Sequence, residues 1–218
     1  MSDLVVSVAG GPLHLCPEGA AFDPQSAALL IADAHFGKAA SFRAHGVPVP
    51  SGTSAADIER LDALIARLAP QRVVFLGDML HAVEARAALP ALTAWRARHA
   101  RLRVILVEGN HDRHAGPLDA ASGFEVVAEP WLLGRFALCH IPQRVPQAYA
   151  LAGHEHPVFT LRVGRERCRL PCFRLGTHGG VLPAFGGFTG GMEVNDARDA
   201  LYLCAGERVL AVPDHARR

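Results

Sequence analysis

The sequence predicts an α/β fold in which the first half builds a sheet with parallel neighbours and the second half adds a mostly β layer. Two observations predict it. Three short apolar runs, Ala28–Ala32, Val73–Leu76 and Val104–Val107, alternate with stretches of helical hydrophobic spacing, and strand–helix–strand order of this kind argues for parallel strands. Beyond Phe124 the rhythm changes to short strand-like runs with little helix between them. At 218 residues the chain fits a single domain spanning residues 1–218, large enough to bury a core without disulfides or structural metal.

Taken in order, Val5–Val8 and Leu13–Cys16 flank Ala9-Gly10-Gly11-Pro12 and read as a hairpin. Ala28–Ala32 is a strand buried on both faces and ends at Asp33. The Gly46–Gly52 stretch reads as a loop. Ser54, with Asp57 three residues on, resembles a helix N-terminus, because both side chains can accept from unpaired backbone N–H groups. Ile58, Leu61, Leu64, Ile65 and Leu68 then repeat at helical spacing until Pro70. Val73–Leu76 is the second strand. A helix pattern over Ala85–His99 is interrupted by Pro90, which predicts a break or a late start. Val104–Val107 is the third strand. Glu125–Ala128, Trp131–Leu133, Arg135–Cys139, Ala148–Ala152, Val158–Val163 and Arg167–Phe173 are further strands, Gly176–Gly191 is a turn-rich loop, and Leu201–Cys204 pairs with Val209–Val212 around Ala205–Arg208.

Bulk properties narrow the function. With 22 basic and 21 acidic residues there is no overall basic footprint of the kind a nucleic-acid or membrane surface selects. No apolar run is long enough to span a bilayer, and the N-terminus lacks the basic lead and long apolar core of a signal peptide. The expectation is a cytoplasmic protein without a membrane partner. The five cysteines fit buried thiols better than a disulfide framework. Twelve histidines are the anomaly.

Several of those histidines follow apolar runs. Asp33-Ala34-His35 closes the first, Gly77-Asp78 the second, Gly109-Asn110-His111-Asp112 the third, His140 a fourth and Gly153-His154-Glu155-His156 a fifth. In open α/β sheets the carboxyl ends of strands line the ligand crevice. Asp33, His35, Asp78, Asn110, His140, His154 and His156 offer seven oxygen or nitrogen donors and no thiolate, a set that suits Mn, Fe or Zn. Seven donors exceed one tetrahedral shell and suit two ions sharing a carboxylate, with Asp78 as the natural bridge. Two ions roughly 3.5–4 Å apart clamp the attacking and leaving oxygens of an in-line displacement at phosphorus and activate water near neutral pH.

The five motifs in this order resemble the calcineurin-like metallophosphoesterase family. The resemblance implies a four-layer α/β/β/α sandwich of two mixed sheets flanked by helices. It implies one metal held by Asp33, His35, Asp78 and His156, and a second by Asp78, Asn110, His140 and His154, with Mn²⁺ as the expected ion. It further implies that His111 faces the substrate, donating to the phosphate or protonating the leaving oxygen, and that Asp112 orients it. Asp33-Ala-His-Phe-Gly-Lys-Ala-Ala-Ser-Phe-Arg, Gly46-Val-Pro-Val-Pro-Ser-Gly and Leu182-Pro-Ala-Phe-Gly-Gly-Phe-Thr-Gly-Gly look like the bacterial DNA-ligase-associated metallophosphoesterases. That narrower resemblance implies a nucleic-acid phosphodiester such as DNA as substrate, and a link to DNA repair with a ligase and a helicase.

Around this set, Lys38 and Arg43 follow the first motif, where they either neutralise phosphate charge or face solvent. Arg113 stands beside the catalytic loop with the same two readings. His81, three residues past Asp78, either supports a metal ligand, lines the cleft or merely opens a helix. Two other functions fit the same residues. A phosphomonoesterase acting on a protein or small metabolite uses the same metal pair, and a non-catalytic interaction scaffold needs only the fold.

Overall fold

The computed structural model describes residues 2–49, 53–81, 83–119, 122–164, 166–194 and 198–214. The N-terminal pattern closes as a hairpin of β1 (Leu4–Val8) and β2 (Gly11–Leu15). Its two-residue turn, Ala9-Gly10, has both φ angles positive, 49° and 79°, which matches the right-handed twist of the flanking strands. β3 (Ala21–Asp23), too short to show a period, joins β2 antiparallel to β4 (Ala28–Ile31). From β4 the sheet continues parallel through β5 (Arg72–Leu76), β6 (Arg103–Val107) and β7 (Glu125–Val127). β4 is buried at every residue and β5 and β6 at four of five, so their unbroken apolar runs reflect cover on both faces.

Four α-helices lie among the described residues: α1 (Lys38–Ala44), α2 (Thr53–Leu68), α3 (Leu89–Arg98) and α4 (Asn110–Ala115). A 3₁₀ turn over Val83–Ala88 precedes α3, and Pro90 sits in the first turn of that helix, where its missing N–H costs nothing. This is the late start that Pro90 predicts. Ser54 and Asp57 do not cap α2, which has begun by Thr53. Their oxygens serve other segments: Ser54 Oγ accepts from the Gly37 N–H at 3.0 Å, and Asp57 accepts from the Gly187 N–H at 3.1 Å. Residues 50–52 of the expected Gly46–Gly52 loop lie outside the described residues, and residues 46–49 carry no regular structure.

A second sheet takes the rest of the chain: β8 (Trp131–Leu133), β9 (Phe136–Leu138), β10 (Tyr149–Ala152), β11 (Pro157–Val163), β12 (Glu166–Leu175), β13 (Gly179–Val181), β14 (Met192–Glu193), β15 (Ala200–Ala205) and β16 (Arg208–Ala211). Its order is β14-β11-β12-β13-β10-β9-β8, with β15 also on β12 and β16 on β15. Both sheets are mixed. The strand-rich second half was expected to form one layer, yet its first strand, β7, pairs with β6 and closes the first sheet.

Alternating side chains divide the core. Leu29, Ile31, Val73, Phe75, Val104 and Leu106 pack under the helices with Leu61, Leu64, Leu92 and Trp95. Leu30, Val74, Leu76, Ile105 and Val107 face the second sheet and meet Phe136, Leu138, Leu151 and Phe173. A smaller group, Cys172, Val194, Leu201, Leu203 and Val212, covers the far side of the second sheet. The two mixed sheets with flanking helices are the fold class the sequence predicts. Among the described residues no helix is long and apolar enough to cross a membrane.

Candidate metal centre

The functional side chains begin where apolar runs end. Asp33 and His35 follow β4, Asp78 follows β5, Asn110 opens α4 after β6, His140 follows β9, and His154 and His156 follow β10. Five of them, Asp33, His35, Asp78, His154 and His156, hold positive φ angles of 49°, 45°, 48°, 70° and 46°. A left-handed backbone costs a non-glycine residue of the order of 1 kcal/mol or more. Five such costs where the tips of the two sheets meet mark a site that the fold keeps for another purpose. Glycines supply the room: a Cβ at Gly77 would lie 2.2 Å from His140 Nδ1, one at Gly109 would lie 2.4 Å from Asp78 Oδ1, and one at Gly153 would lie 2.4 Å from Asp33 Oδ2. Each glycine directly precedes a proposed donor.

The side chains fall into two groups, Asp33, His35 and His156 in one and Asp78, His140 and His154 in the other, each with ligand atoms within 4.8 Å of one another. In the first, His35 Nε2 lies 3.3 Å from His156 Nε2, which lies 3.5 Å from Asp33 Oδ1. In the second, His140 Nε2 lies 2.8 Å from Asn110 Oδ1, 3.1 Å from His154 Nδ1 and 3.4 Å from Asp78 Oδ1. The other oxygen of Asp78, Oδ2, is 4.0 Å from His35 Nε2. One carboxylate therefore presents one oxygen to each group. All seven sequence-predicted donors converge.

Hydrogen bonds fix which ring nitrogens point inward. His140 Nδ1 faces the Leu76 carbonyl at 3.1 Å and His156 Nδ1 faces the Gly190 carbonyl at 3.3 Å. A carbonyl only accepts, so each Nδ1 carries the proton and each Nε2 offers a lone pair. Burial, with Lys38 and the neighbouring imidazoles adding to it, pushes His35 well below the usual histidine range and keeps it neutral. Burial raises Asp78, against the opposing pull of His140. Asp33 Oδ1 and His35 Nδ1 are buried without a hydrogen-bond partner. Facing lone pairs and an orphaned carboxylate oxygen are costly in a dry site unless a cation lies among them. The donor set of imidazole, carboxylate and amide fits divalent metal.

Beside the donors stands His111. Its backbone N–H donates to Asp78 Oδ1 at 2.9 Å, its Nδ1 meets the His81 carbonyl at 2.6 Å, and its Nε2 is 4.0 Å from Asp78 Oδ2. Asp112 does not orient this ring. Its oxygens accept from the Leu80 and Gly109 backbone N–H groups, both at 3.0 Å, so it ties the loop after β5 to the start of α4, and the His81 carbonyl sets the ring instead. Burial raises Asp112 to about 6. His81 lines the cleft and stacks on His111 with ring centroids 4.8 Å apart. Lys38 is half-buried, and burial lowers its pKa against the opposing pull of Asp78 and Asp33. Arg43 is exposed and donates to the Val49 carbonyl at 3.4 Å, and Arg113 is paired with Glu108 at 3.4 Å on the surface.

Sequence reading missed three supports. Glu129 Oε2 accepts from the His140 and Ile141 backbone N–H groups at 2.7 and 2.9 Å. The Gly190 carbonyl orients His156. Asp57 and Arg60 of α2 hold the Gly-rich loop, Asp57 on the Gly187 N–H and Arg60 on the Phe185 carbonyl. A backbone carbonyl has no side-chain signature, and neither Glu129 nor Asp57 sits in a motif that points at the centre.

A two-sheet sandwich carrying paired carboxylate–imidazole groups at converging strand tips defines the class of metal-dependent phosphoesterases. No protein-family model and no curated protein sequence matches the chain. Among solved structures it is similar to Pseudomonas putida nuclease MPE, with 43% identity over 97% of this chain and 100% of that one and a TM-score of 0.85. YfcE, a phosphoesterase from E. coli, aligns at 13% identity and a TM-score of 0.42 over 88% of this chain and 94% of that one. The chain belongs to the metallophosphoesterase family, hydrolases of phosphate esters.

Proposed function

We propose that the chain is a phosphodiesterase acting on nucleic acid, an endonuclease, with two divalent ions, Mn²⁺ in the cell, held by the two donor groups. The observation that carries the dinuclear reading is the position of Asp78, one oxygen toward each group. Asp33, His35, Asp78 and His156 would hold the first ion, and Asp78, Asn110, His140 and His154 the second. When bound, such ions polarise the phosphoryl group and lower the pKa of a coordinated water.

The chain's own residues do the rest. His111 keeps its Nδ1 proton on the His81 carbonyl, so its Nε2 donates only when the ring is doubly protonated. In that form it offers a proton and a positive charge at the rim of the cleft, beside Asp78, where a leaving alkoxide needs both. Asp112 fixes the loop that carries His111. Lys38, which feels the charge of Asp78 and Asp33, offers a non-bridging phosphate oxygen a charged donor. The nucleic-acid substrate is supported by 43% identity to a nuclease and by the likeness of the Asp33, Gly46 and Leu182 segments to ligase-associated phosphoesterases, a likeness that also favours a role in cytoplasmic DNA repair alongside a ligase and a helicase. The Mn²⁺-loaded protein should hydrolyse bis-p-nitrophenyl phosphate and nick DNA while leaving p-nitrophenyl phosphate largely intact. Turnover of the monoester alone would replace this reading with a phosphomonoesterase, and inertness toward all three with a scaffold.

A further inference from the structure

Next to the centre, aromatic rings run outward in a row. His81 lies nearly parallel to His111, 4.8 Å away at 20°. Phe42, on α1, also stacks on His81, at 6.1 Å and 29°. Phe188, in the Gly-rich loop, meets Phe42 edge to face at 5.6 Å and 85°. Four separate chain segments thus supply one aromatic surface that starts at His111 and ends in solvent, with Phe188 37% exposed.

The outer end of the row is held in place. The Gly187 N–H is fixed on Asp57 at 3.1 Å, Thr189 Oγ1 donates to the Gly186 carbonyl at 3.0 Å, and Gly190 holds His156. A large apolar ring kept half in water on a pinned loop gains little from folding. It is preorganised to receive a flat apolar partner. A phosphate ester bound at the metal donors extends its substituents over this surface, and a nucleobase is the flat group that a nucleic-acid diester brings there. Stacking on an aromatic side chain tolerates any base, because every base has a π face.

We infer that Phe42 and Phe188 form a nucleobase subsite, which takes a base swung out of its stack beside the bond being cut. The inference rests on the nuclease reading above. Its test uses the Mn²⁺-loaded full chain and two oligodeoxynucleotides of equal length, one of thymidine and one carrying abasic tetrahydrofuran at every position. The wild type should prefer the base-bearing oligomer by roughly tenfold in kcat/KM, the scale that one stacked base supplies. Phe188→Ala, Phe188→Leu and Phe42→Ala should bring that ratio toward one, and Phe188→Tyr should restore it. The Leu variant keeps apolar bulk without a ring, so it separates stacking from simple packing. A wild-type ratio near one, or variants that keep the wild-type ratio, would overturn the subsite while leaving the nuclease reading intact. Hydrolysis of bis-p-nitrophenyl phosphate with neither oligomer cut would overturn the nuclease reading, and the subsite with it.

Discussion

At the scale of single residues the centre separates into groups that hold charge and groups that move protons. Asp78 is buried, faces both donor groups and accepts the His111 N–H at 2.9 Å, so replacing it by Asn removes the negative charge both proposed ions would share. Asp78→Asn should lose metal and turnover together. His111 sits at the rim, its side chain 37% exposed and its Nε2 4.0 Å from Asp78 Oδ2, beyond hydrogen-bond reach. His111→Ala should lower kcat by about 10²–10⁴-fold, the usual worth of general acid–base catalysis, with the metal content kept. Elemental analysis alongside turnover distinguishes the two, and equal metal loss in both variants would sink this division of labour. Asp112 belongs to neither group. Removing its carboxylate strands two buried backbone N–H donors, of Leu80 and Gly109, each worth about 1–3 kcal/mol when left unpaired. Asp112→Ala should therefore unfold at distinctly lower denaturant than the wild type, while Asp112→Asn, which retains an acceptor, should recover part of the loss. A midpoint for Asp112→Ala equal to wild type would show that water or the loop satisfies those groups.

At the scale of elements, what the sequence discloses depends on how each element earns its place. β4, β5 and β6 were legible because a strand covered on both faces must be apolar throughout, and each ends abruptly at a donor. β3 and β13 were not, since three residues show no period and Gly179-Gly180 carries no β signal. α1 was missed as well, a seven-residue helix opening at Gly37 with no acidic residue in its first turn. The Gly-rich loop shows the same limit at the site. Its glycines were visible, but the reason for them lies across space: at Gly186 a Cβ would come 2.5 Å from the Ala34 carbonyl, and at Gly191 it would come 2.4 Å from a Val158 methyl. The loop is clamped to α2 through Asp57 and Arg60 and in turn holds His156 through Gly190. Asp57→Ala should loosen that chain of contacts and weaken metal affinity by roughly tenfold, the lower end for losing an outer partner of a ligating histidine. Calorimetric titration of Mn²⁺ into the metal-free variant reads this directly, and an unchanged dissociation constant would mean that His156 holds its orientation without the clamp.

At the scale of the whole molecule, the centre lies where the two sheets meet, and neither sheet owns it. Asp33, His35, Asp78 and Asn110 come from the tips of the first sheet, and His140, His154 and His156 from the tips of the second. The apolar layer between them, from Leu30 and Val74 to Phe136 and Leu151, keeps the tips in register. The tips themselves carry the His140 Nε2 lone pair facing Asn110 Oδ1 and a buried, unpaired Asp33 oxygen, which oppose close approach. Metal binding should couple to folding for that reason: a cation between the sheets would turn the repulsion into a cross-link, and the unfolded chain has no comparable site. Ligand that binds only the folded state at a hundred times its dissociation constant adds about 2.7 kcal/mol. For a chain of this size each kcal/mol raises Tm by roughly 2–4 °C, so saturating Mn²⁺ should raise it by about 5–10 °C over the chelated protein. The same titration on Asp78→Asn should give little or no rise, because the substitution removes the negative charge that both proposed ions would share. Scanning calorimetry with and without chelator measures both. If the chelated wild type melted at the loaded temperature, the donors would have to be held apart by packing alone, and the coupling between metal and the two sheets would fall.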